Sequence, residues 1–419
     1  MRMTKPRILY ASPNLPYPAT SGGAQRSALF FEALDQLGDV DCIFMPAEPP
    51  AEESIQTIKS KCQADLRIVS SAMIRNANIE SNFWGRICRY IHKDISAFHE
   101  AARYRWIPYK PLIQEMGDLG RYDLVIARYL STACILDLFR HPALIVDIDD
   151  YDPDRLKQRL KSSNSIKQLT LRRVLKYSED AHHKHLQTER PYFVSNPNDR
   201  KHPGLAKATE LPNIPYFPAK ALPKIPLFNH ASQTFLMVGT FDYSANRDGV
   251  DAFIKQAWPE IRAKFPGAQL SLVGRGISES QRQTWASHHG VNPIGYIPNL
   301  ESAYKDCIAT IAPILAGGGT NIKVLESAAF GRPSILTKIA HRGFEATLPP
   351  NSACAVCPGI KEMASQCIQF LETPELAEKM GLEASKQIAA HHTRSNFEAT
   401  VKKLCLHVLS QTKHQAVDE

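Results

Sequence analysis

Short apolar runs alternate with amphipathic stretches along most of the chain. In the first half these runs cover residues 7–11, 40–45, 66–69, 124–126, 143–148 and 192–194. In the second half they cover 234–238, 269–273, 291–296, 309–315, 334–337 and 353–357. Apolar runs separated by helical periodicity are typical of βαβ units with a parallel sheet. The pattern therefore predicts an α/β protein built from doubly wound, Rossmann-like domains.

The length of the chain favours two such domains. With 419 residues, 43% of them hydrophobic, the chain can bury two ordinary cores. Residues 199–229 are rich in Pro, Lys and Ala and show no clear periodic element. We therefore place the interdomain linker there. In doubly wound domains, ligands bind at the carboxyl ends of the strands.

The most informative stretch follows the apolar run at 309–315. Gly317, Gly318 and Gly319 form a triple-glycine turn, and glycine permits both positive φ and close approach of a ligand to the backbone. Thr320 is a natural N-cap for a helix that begins near Asn321. Backbone N–H groups at such a helix start attract phosphate. The alternative is that these glycines only permit tight strand-to-helix packing.

Two charged residues lie on one face of this predicted helix. Lys323 and Glu326 are three residues apart, near the helix start. Gly331 and Pro333 end the helix. A lysine can bind phosphate charge, and a carboxylate can accept hydrogen bonds from sugar hydroxyls. The stretch therefore predicts a site for an anionic nucleotide ligand.

Other loops follow the predicted strands. The first ends on Gly22 and Gly23, opens a helix near Ala24 and lacks the GxGxxG spacing of a dinucleotide fold. Residues 239–247, 274–276 and 295–299 form further glycine-bearing loops. The run at 143–148 is followed by Asp149 and Asp150, which can act as a general base or simply cap a turn.

Composition excludes several classes of function. The net charge of +8 is spread along the chain without a recognised nucleic-acid motif, so no nucleic-acid partner is expected. No run of apolar residues reaches the length of a membrane span, and the N-terminus does not resemble a secretory signal, so we expect a cytoplasmic protein. Nine scattered cysteines indicate free thiols in a reducing compartment.

The densest basic segment covers residues 155–190. Leucines and other apolar residues are interleaved with its lysines and arginines at partly helical spacing. Such a segment can contact an anionic membrane peripherally. The alternative, a solvated helical face, is the more common outcome.

The second half carries a resemblance to a known family. Its motifs are 235–239, 270–274, 295–300 and, above all, the stretch from Ala312 to Glu326. In order and spacing they resemble the donor-binding domain of the retaining family 4 glycosyltransferases of the GT-B fold, in the subgroup with a GGGTxxK pattern. In the first half, Gly22-Gly23 and Pro212-Asn213 are compatible with the same family.

The resemblance implies two Rossmann-like domains that face each other across a cleft. Residues 1–205 would bind the acceptor, residues 206–393 would bind the nucleotide sugar, and residues 394–419 would form a helix that crosses back to the first domain. It further implies retaining transfer of a sugar from a nucleoside diphosphate sugar to a glycan, a lipid-linked glycan or a small molecule, without a metal ion or another cofactor. Two alternatives are a sugar-nucleotide 2-epimerase of the same fold and a non-catalytic nucleotide-sugar-binding module.

Roles for single residues follow from the resemblance. Glu326 would bind the ribose, and the base would lie near Tyr296 and Pro298. The diphosphate and donor sugar would meet a group of loop and helix-start residues: Gly22, Gly23, Gly239, Thr240, Gly317, Gly318, Gly319, Thr320, Asn321 and Lys323.

The chain departs from the family pattern at three places. Gly318 stands where the family commonly has a glutamate. A loop holding Thr240, Asn246 and Arg247 replaces the usual Arg and Lys, so Lys323 and Arg247 are expected to share the phosphate charge. Asp149 stands where a histidine is usual. We therefore name Asp149, Lys323 and Arg247 as the candidate catalytic residues, and we expect no metal site at Asp147 and Asp149.

Overall fold

The structure is a computed structural model. It describes residues 5–47, 49–61, 65–70, 106–161, 165–186, 190–317 and 320–418, without the side chains of residues 159, 161, 165–167, 170 and 413–418. The chain divides into two compact units. Unit 1 comprises Met1–Pro212 and Phe397–Glu419, and unit 2 comprises Asn213–Asn396.

In the part of unit 1 that the structure describes, seven parallel strands form one sheet in the order β3-β2-β1-β4-β5-β6-β7. The central strands are apolar and buried on both faces, as expected for a parallel sheet covered by helices. The strands are β1 Arg7–Ser12, β2 Asp39–Phe44, β3 Leu66–Ile68, β4 Leu124–Arg128, β5 Leu144–Asp147, β6 Tyr192–Val194 and β7 Thr209–Glu210.

The helices of unit 1 connect these strands. They are α1 Gly22–Asp35, α2 Glu52–Lys61, α3 Lys110–Met116, α4 Leu130–Ile135, α5 Asp152–Lys161 and α6 Ser165–Leu186. The last helix, α15 Arg394–Asp418, begins in unit 2 and continues into unit 1, where the ring of Phe397 packs against Phe30. Residues 199–229, which show no clear periodic element in the sequence, contain β7, the end of the 3-10 helix Pro197–Lys201 and the 3-10 helix Pro203–Leu205. These elements are too short to produce a periodic pattern.

Unit 2 contains a parallel sheet in the order β10-β9-β8-β11-β12-β13, six strands among its described residues. The strands are β8 Thr234–Val238, β9 Gln269–Val273, β10 Val291–Gly295, β11 Ala309–Ala312, β12 Ser334–Thr337 and β13 Ala355–Cys357. The helices are α7 Ser244–Gln256, α8 Trp258–Lys264, α9 Glu279–Ala286, α10 Glu301–Asp306, α11 Ile322–Ala329, α12 Lys338–His341, α13 Met363–Glu372 and α14 Pro374–His391.

Both sheets change direction at one internal position. In unit 1 the chain builds outward to one side from β1 and then returns to the other side at β4, and in unit 2 it does the same at β8 and β11. This order is that of doubly wound Rossmann-like folds, so the predicted fold class is confirmed. The carboxyl ends of the two strands at such a switch point border the crevice in which these folds bind ligands.

In the described part of the basic segment at 155–190, residues 155–161 belong to α5 and residues 165–186 form α6. Its leucines mostly face inward: Leu156, Leu171 and Val174 are buried together. Arg172, Arg173 and Lys176 point to solvent, and Leu169 is the exposed apolar residue beside them. Arg172, Arg173 and Lys176 therefore form an exposed basic face on α6.

No helix in the described ranges combines the length and the apolar character that crossing a membrane requires. Cys354, which precedes β13, and Cys357, its last residue, are buried free thiols.

Candidate functional site

The site in unit 2 is built at the switch point between β8 and β11. The loop after β8 lies directly against the end of β9, because Gly274 has φ +144° and a Cβ at that position would be 1.7 Å from the carbonyl oxygen of Gly239. Only glycine permits this approach. The close contact holds the backbone of Gly239 in place at the carboxyl edge of the sheet.

Lys323 reaches this edge from helix α11. Its Nζ donates a hydrogen bond to Oδ1 of buried Asn246, and Nδ2 of Asn246 donates to the carbonyl oxygen of Thr240 at 2.8 Å. The ammonium lies 3.6 Å from the position that a Cβ on Gly239 would occupy. The structure thus brings together Gly239, Thr240, Asn246 and Lys323, although 77 residues separate the last two.

The environment of Lys323 disfavours its positive charge. Burial lowers the pKa of Lys323 from its ordinary value of 10.5 to about 8, although the nearby Glu326 carboxylate acts in the opposite direction. Lowering of this kind occurs where a cation lacks full compensation for lost hydration. An anionic ligand at this position would supply that compensation.

The start of helix α11 differs from the prediction. The N-cap is Asn321 rather than Thr320, and its side chain makes no capping hydrogen bond. The Oγ1 of Thr320 instead accepts from Nδ2 of Asn213 at 2.7 Å, and Nδ2 of Asn321 donates to the carbonyl oxygen of Ala340 at 3.2 Å. Both side chains that could have capped the helix therefore serve tertiary contacts. The first-turn N–H groups keep no side-chain cap, as a phosphate site requires.

The glycine turn before α11 is only partly described. Gly318 and Gly319 lie outside the described residues. Gly317 has φ +156°, and a Cβ there would be 3.3 Å from Oη of Tyr243. Tyr243, in the loop after β8, therefore lies beside the glycine turn. The sequence did not identify this tyrosine as part of the site. An exposed tyrosine inside a predicted glycine loop was the available signal.

Arg247 supports its own loop. Its Nη1 donates to the carbonyl oxygens of Phe241 at 3.1 Å and Asp242 at 2.8 Å. In the described residues, the side chain of Lys323 forms a hydrogen bond at the switch point, whereas the side chain of Arg247 binds backbone carbonyl groups of the neighbouring loop. The expected sharing of phosphate charge by these two residues stays a prediction.

The residues predicted to lie near the base are open to solvent. Tyr296 directly follows β10 and is 60% exposed to solvent. Pro298 is also exposed. A large exposed ring at the carboxyl edge of a sheet can stack on a planar ligand. The site assignments for Tyr296 and Pro298 remain predictions.

Lys323, Tyr304, Thr310 and Ser334 line a narrow gap that is too small to hold a water molecule. Tyr304 is fully buried, and its Oη has no hydrogen-bond partner. Burial, and then the charge of Glu326, raise the pKa of Tyr304 well above its ordinary value. A buried hydroxyl without a hydrogen-bond partner lowers the stability of the folded protein.

Unit 1 holds a buried network of charges at its own switch point. Arg26 of α1 donates to Asp147 at 2.9 and 2.6 Å, and Arg128 at the end of β4 donates to the same carboxylate at 3.0 Å. Burial alone would lower the pKa of Arg26, but Asp147 and Asp149 together raise it above its ordinary value. Both carboxylate oxygens of Asp147 therefore accept hydrogen bonds from guanidinium groups.

Asp149 belongs to the same network. Its Oδ2 accepts from Nη2 of Arg128 at 2.6 Å and from Oη of Tyr129 at 3.0 Å. Asp149 and Tyr129 both have positive φ, 47° and 65°, which is uncommon for such residues and typical of functional positions. The network holds the Asp149 carboxylate in a fixed orientation.

Asp150 belongs to the acidic pair noted in the sequence, but it is not among the three candidate catalytic residues named there. Burial, and then the charge of Asp149, raise the pKa of Asp150 to about 7. A carboxyl that exchanges its proton near neutral pH can act as a general acid or base. It is therefore a second candidate beside Asp149.

The paired glycines of unit 1 open helix α1, which begins at Gly22 and not near Ala24 as predicted. The N-cap is Ser21, whose side chain accepts from the N–H of Ala24. A Cβ on Gly23 would lie 2.7 Å from Oδ1 of Asn14, and the carbonyl oxygen of Gly23 accepts from Arg128 at 2.7 Å. The glycine leaves room for the Asn14 side chain.

Comparison with known proteins adds to this geometry. Residues 232–373 match the family model described as Glycosyl transferases group 1. The core of unit 2 thus has the sequence pattern of group 1 glycosyltransferases. No curated protein sequence matches the chain.

Solved structures match nearly the whole chain. A sucrose-phosphate synthase from Thermosynechococcus elongatus superposes with a TM-score of 0.65 at 14% identity, covering 97% of this chain and 100% of that one. WaaG, a glycosyltransferase involved in lipopolysaccharide biosynthesis, gives 0.61 at 12%, covering 96% and 99%. HepE from Anabaena, in complex with UDP, gives 0.58 at 10%, covering 95% and 98%. The fold is therefore that of GT-B glycosyltransferases, as the resemblance implied.

Proposed function

We propose that the protein is a glycosyltransferase that moves a sugar from a nucleoside diphosphate sugar to an acceptor, with retention of configuration and without a metal ion. This proposal rests on one observation: the ammonium group of Lys323 lies at the switch point of unit 2. It lies within the segment that matches group 1 glycosyltransferases.

The donor binds to unit 2 in this proposal. Its diphosphate contacts Lys323 and the uncapped start of α11, the ribose hydroxyls donate to Glu326, and the base lies against Tyr296. A lysine whose charge is only partly compensated and a helix start without a side-chain cap together offer a fixed positive potential to phosphate. UDP is the first nucleoside diphosphate to test, because HepE was solved in complex with UDP.

The chemistry follows from where charge develops. When the bond between the sugar and the diphosphate breaks, negative charge grows on the leaving oxygen. Donors that are already oriented stabilise that charge without reorganisation. Asn246 fixes the Lys323 ammonium before any ligand arrives. This preorganised cation takes the part that a metal ion plays in other transferases.

The acceptor binds to unit 1 in this proposal, near the carboxyl ends of β4 and β5. The fixed Asp149 carboxylate orients an acceptor hydroxyl, and Asp150 exchanges a proton near neutral pH. Glycans and lipid-linked glycans are the acceptor classes to test first.

A thermal-shift screen of the full chain tests donor binding. We expect UDP, GDP or ADP, or one of their sugars, to raise the melting temperature, because a ligand that binds only the native state stabilises it by mass action. At a hundredfold excess over Kd the gain is about 2.7 kcal/mol. Lys323→Met should reduce the shift clearly, because it weakens binding of the diphosphate. The absence of a shift with every diphosphate would contradict the proposal.

We also propose that the protein acts in the cytoplasm and contacts an anionic membrane only through the charges of α6. Arg172, Arg173 and Lys176 form the exposed basic face, and cations near such a surface contribute about 1 kcal/mol each. Sedimentation with anionic liposomes at low and high salt tests this contact. The triple variant Arg172→Glu, Arg173→Glu, Lys176→Glu should stay in the supernatant, and wild-type protein that also stays there would rule the contact out.

A further inference from the structure

Three side chains with metal-binding atoms meet at the carboxyl ends of β5 and β6. Asp154 lies in the first turn of α5, after β5. Asp199 and His202 lie in and just beyond a short 3-10 helix, Pro197–Lys201, after β6. The carboxylate oxygens of the two aspartates and an imidazole nitrogen of His202 all lie within 4.8 Å of one another. Because β5 and β6 are neighbours in the sheet, the fold itself brings these loops together.

The three groups are held in position before any ligand binds. The N–H of His202 donates to the carbonyl oxygen of Asp199 at 3.1 Å, which fixes their spacing. The ring of Tyr151 stacks on the imidazole of His202 at 3.6 Å between centroids and an interplanar angle of 21°. Asp199 is buried, whereas the side chains of Asp154 and His202 are 24% and 17% exposed. The His202 ring is therefore held in place, and the cluster is reachable from solvent.

From this geometry we propose that Asp154, Asp199 and His202 bind one divalent transition-metal ion of the Zn²⁺ class. Two carboxylates neutralise a dication, and one imidazole favours Zn²⁺ over Mg²⁺ and Ca²⁺, which prefer oxygen ligands alone. Three protein ligands leave at least one coordination position for water. The ion joins the loop after β5 to the loop after β6, and it takes no part in the sugar transfer proposed above.

Lys201 competes for this position. Its Nζ lies 3.0 Å from Oδ2 of Asp154, the same oxygen that lies 3.2 Å from Nε2 of His202. The Lys201 side chain is 62% exposed, so it can turn away into solvent. A metal ion must displace this ammonium to reach the carboxylate. Removing the lysine should therefore strengthen metal binding, which a cluster with a purely structural role would not show.

The experiment is a calorimetric titration of the full chain with Zn²⁺ at pH 7, after treatment with EDTA and removal of the chelator. We expect binding of one equivalent. His202→Gln should weaken it at least about tenfold, since it removes a ligand. Lys201→Met should tighten Zn²⁺ binding by about two- to fivefold, which corresponds to the usual contribution of a surface ion pair. Mn²⁺ should bind at the same position, and Mg²⁺ should bind much more weakly.

His230 provides the matched control. Its Nε2 lies 2.9 Å from Oε2 of Glu378, a surface pair of the same chemistry without a third ligand. His230→Gln should leave Zn²⁺ binding unchanged. The proposal is overturned if wild-type protein binds no Zn²⁺, if His202→Gln and His230→Gln behave alike, or if Lys201→Met does not tighten binding. Lys201→Met alters an exposed side chain, so its result does not depend on whether the His202 variant folds.

Discussion

Nucleoside diphosphate binding should depend on pH through Lys323. The pKa of this lysine is lowered from 10.5 to about 8 in the free protein, so its ammonium is present below pH 8 and lost as the pH rises through 8. A bound diphosphate keeps its full charge over this range, because phosphate protons leave near pH 6, and it holds the proton on Lys323. Affinity should be level up to about pH 7.5 and should then decline towards tenfold per pH unit.

The size of the effect follows from the protonated fraction. With a pKa near 8, about nine-tenths of Lys323 is charged at pH 7 and about 3% at pH 9.5. Binding should therefore weaken by about 30-fold between these two values. Lys323→Met should bind more weakly at pH 7 by about 1.5 to 3 kcal/mol, the usual contribution of a hydrogen bond to a charged group. Its profile should be flat.

Isothermal calorimetry of the nucleoside diphosphate selected by the screen, from pH 6.5 to 9.5, measures both quantities. Lys305→Met is the matched control, because it removes one exposed positive charge of unit 2 and should keep the slope. The charge of Lys323 also affects the stability of the fold, independently of ligand binding. The lowered pKa penalises folding with a charged Lys323 below pH 8, and this penalty is relieved between pH 8 and 10.5, so Lys323→Met should be at least as stable as wild type at pH 7. A flat wild-type profile, or a slope that survives in Lys323→Met, would refute the reasoning.

Three further substitutions test other parts of the site. Glu326→Gln should weaken sugar-nucleotide binding by about 1.5 to 3 kcal/mol in calorimetry, and unchanged affinity would remove Glu326 from the ribose site. Gly274→Ala should lower the free energy of unfolding by clearly more than the roughly 1 kcal/mol expected for Gly117→Ala, which also has positive φ but has no atom within 4 Å of the new Cβ. Tyr304→Phe should keep or raise the melting temperature, since the hydroxyl it removes is buried without a partner, and a clear loss of stability would show that the hydroxyl has one.

Much of the fold could be predicted because buried parallel strands are short, apolar and bounded by turn residues. Tyr192–Val194, Thr234–Val238, Gln269–Val273 and Ser334–Thr337 match the predicted runs residue for residue. The glycine loops and the spacing of Lys323 and Glu326 were also visible, since local sequence determines which residues share a helix face.

The contacts that complete the site depend on residues far apart in the chain. Arg26 and Asp147 are 121 positions apart, and Asn213 and Thr320 are 107 apart. No local pattern indicates that Thr320 exchanges its capping hydrogen bond for one with Asn213, because both choices satisfy the same hydroxyl. The pairing of Lys323 with Asn246 and the raised pKa of Asp150 likewise arise only when separate loops meet.

The central claim is sugar transfer, and one measurement tests it most directly. The full chain is incubated in EDTA with the sugar nucleotide that binds and a panel of glycan and lipid-linked glycan acceptors, and the products are followed by proton NMR. The account predicts release of nucleoside diphosphate in step with a new glycosidic bond that keeps the anomeric configuration of the donor. Free diphosphate with an epimerised sugar, or tight binding of the donor with no turnover on any acceptor, would contradict it.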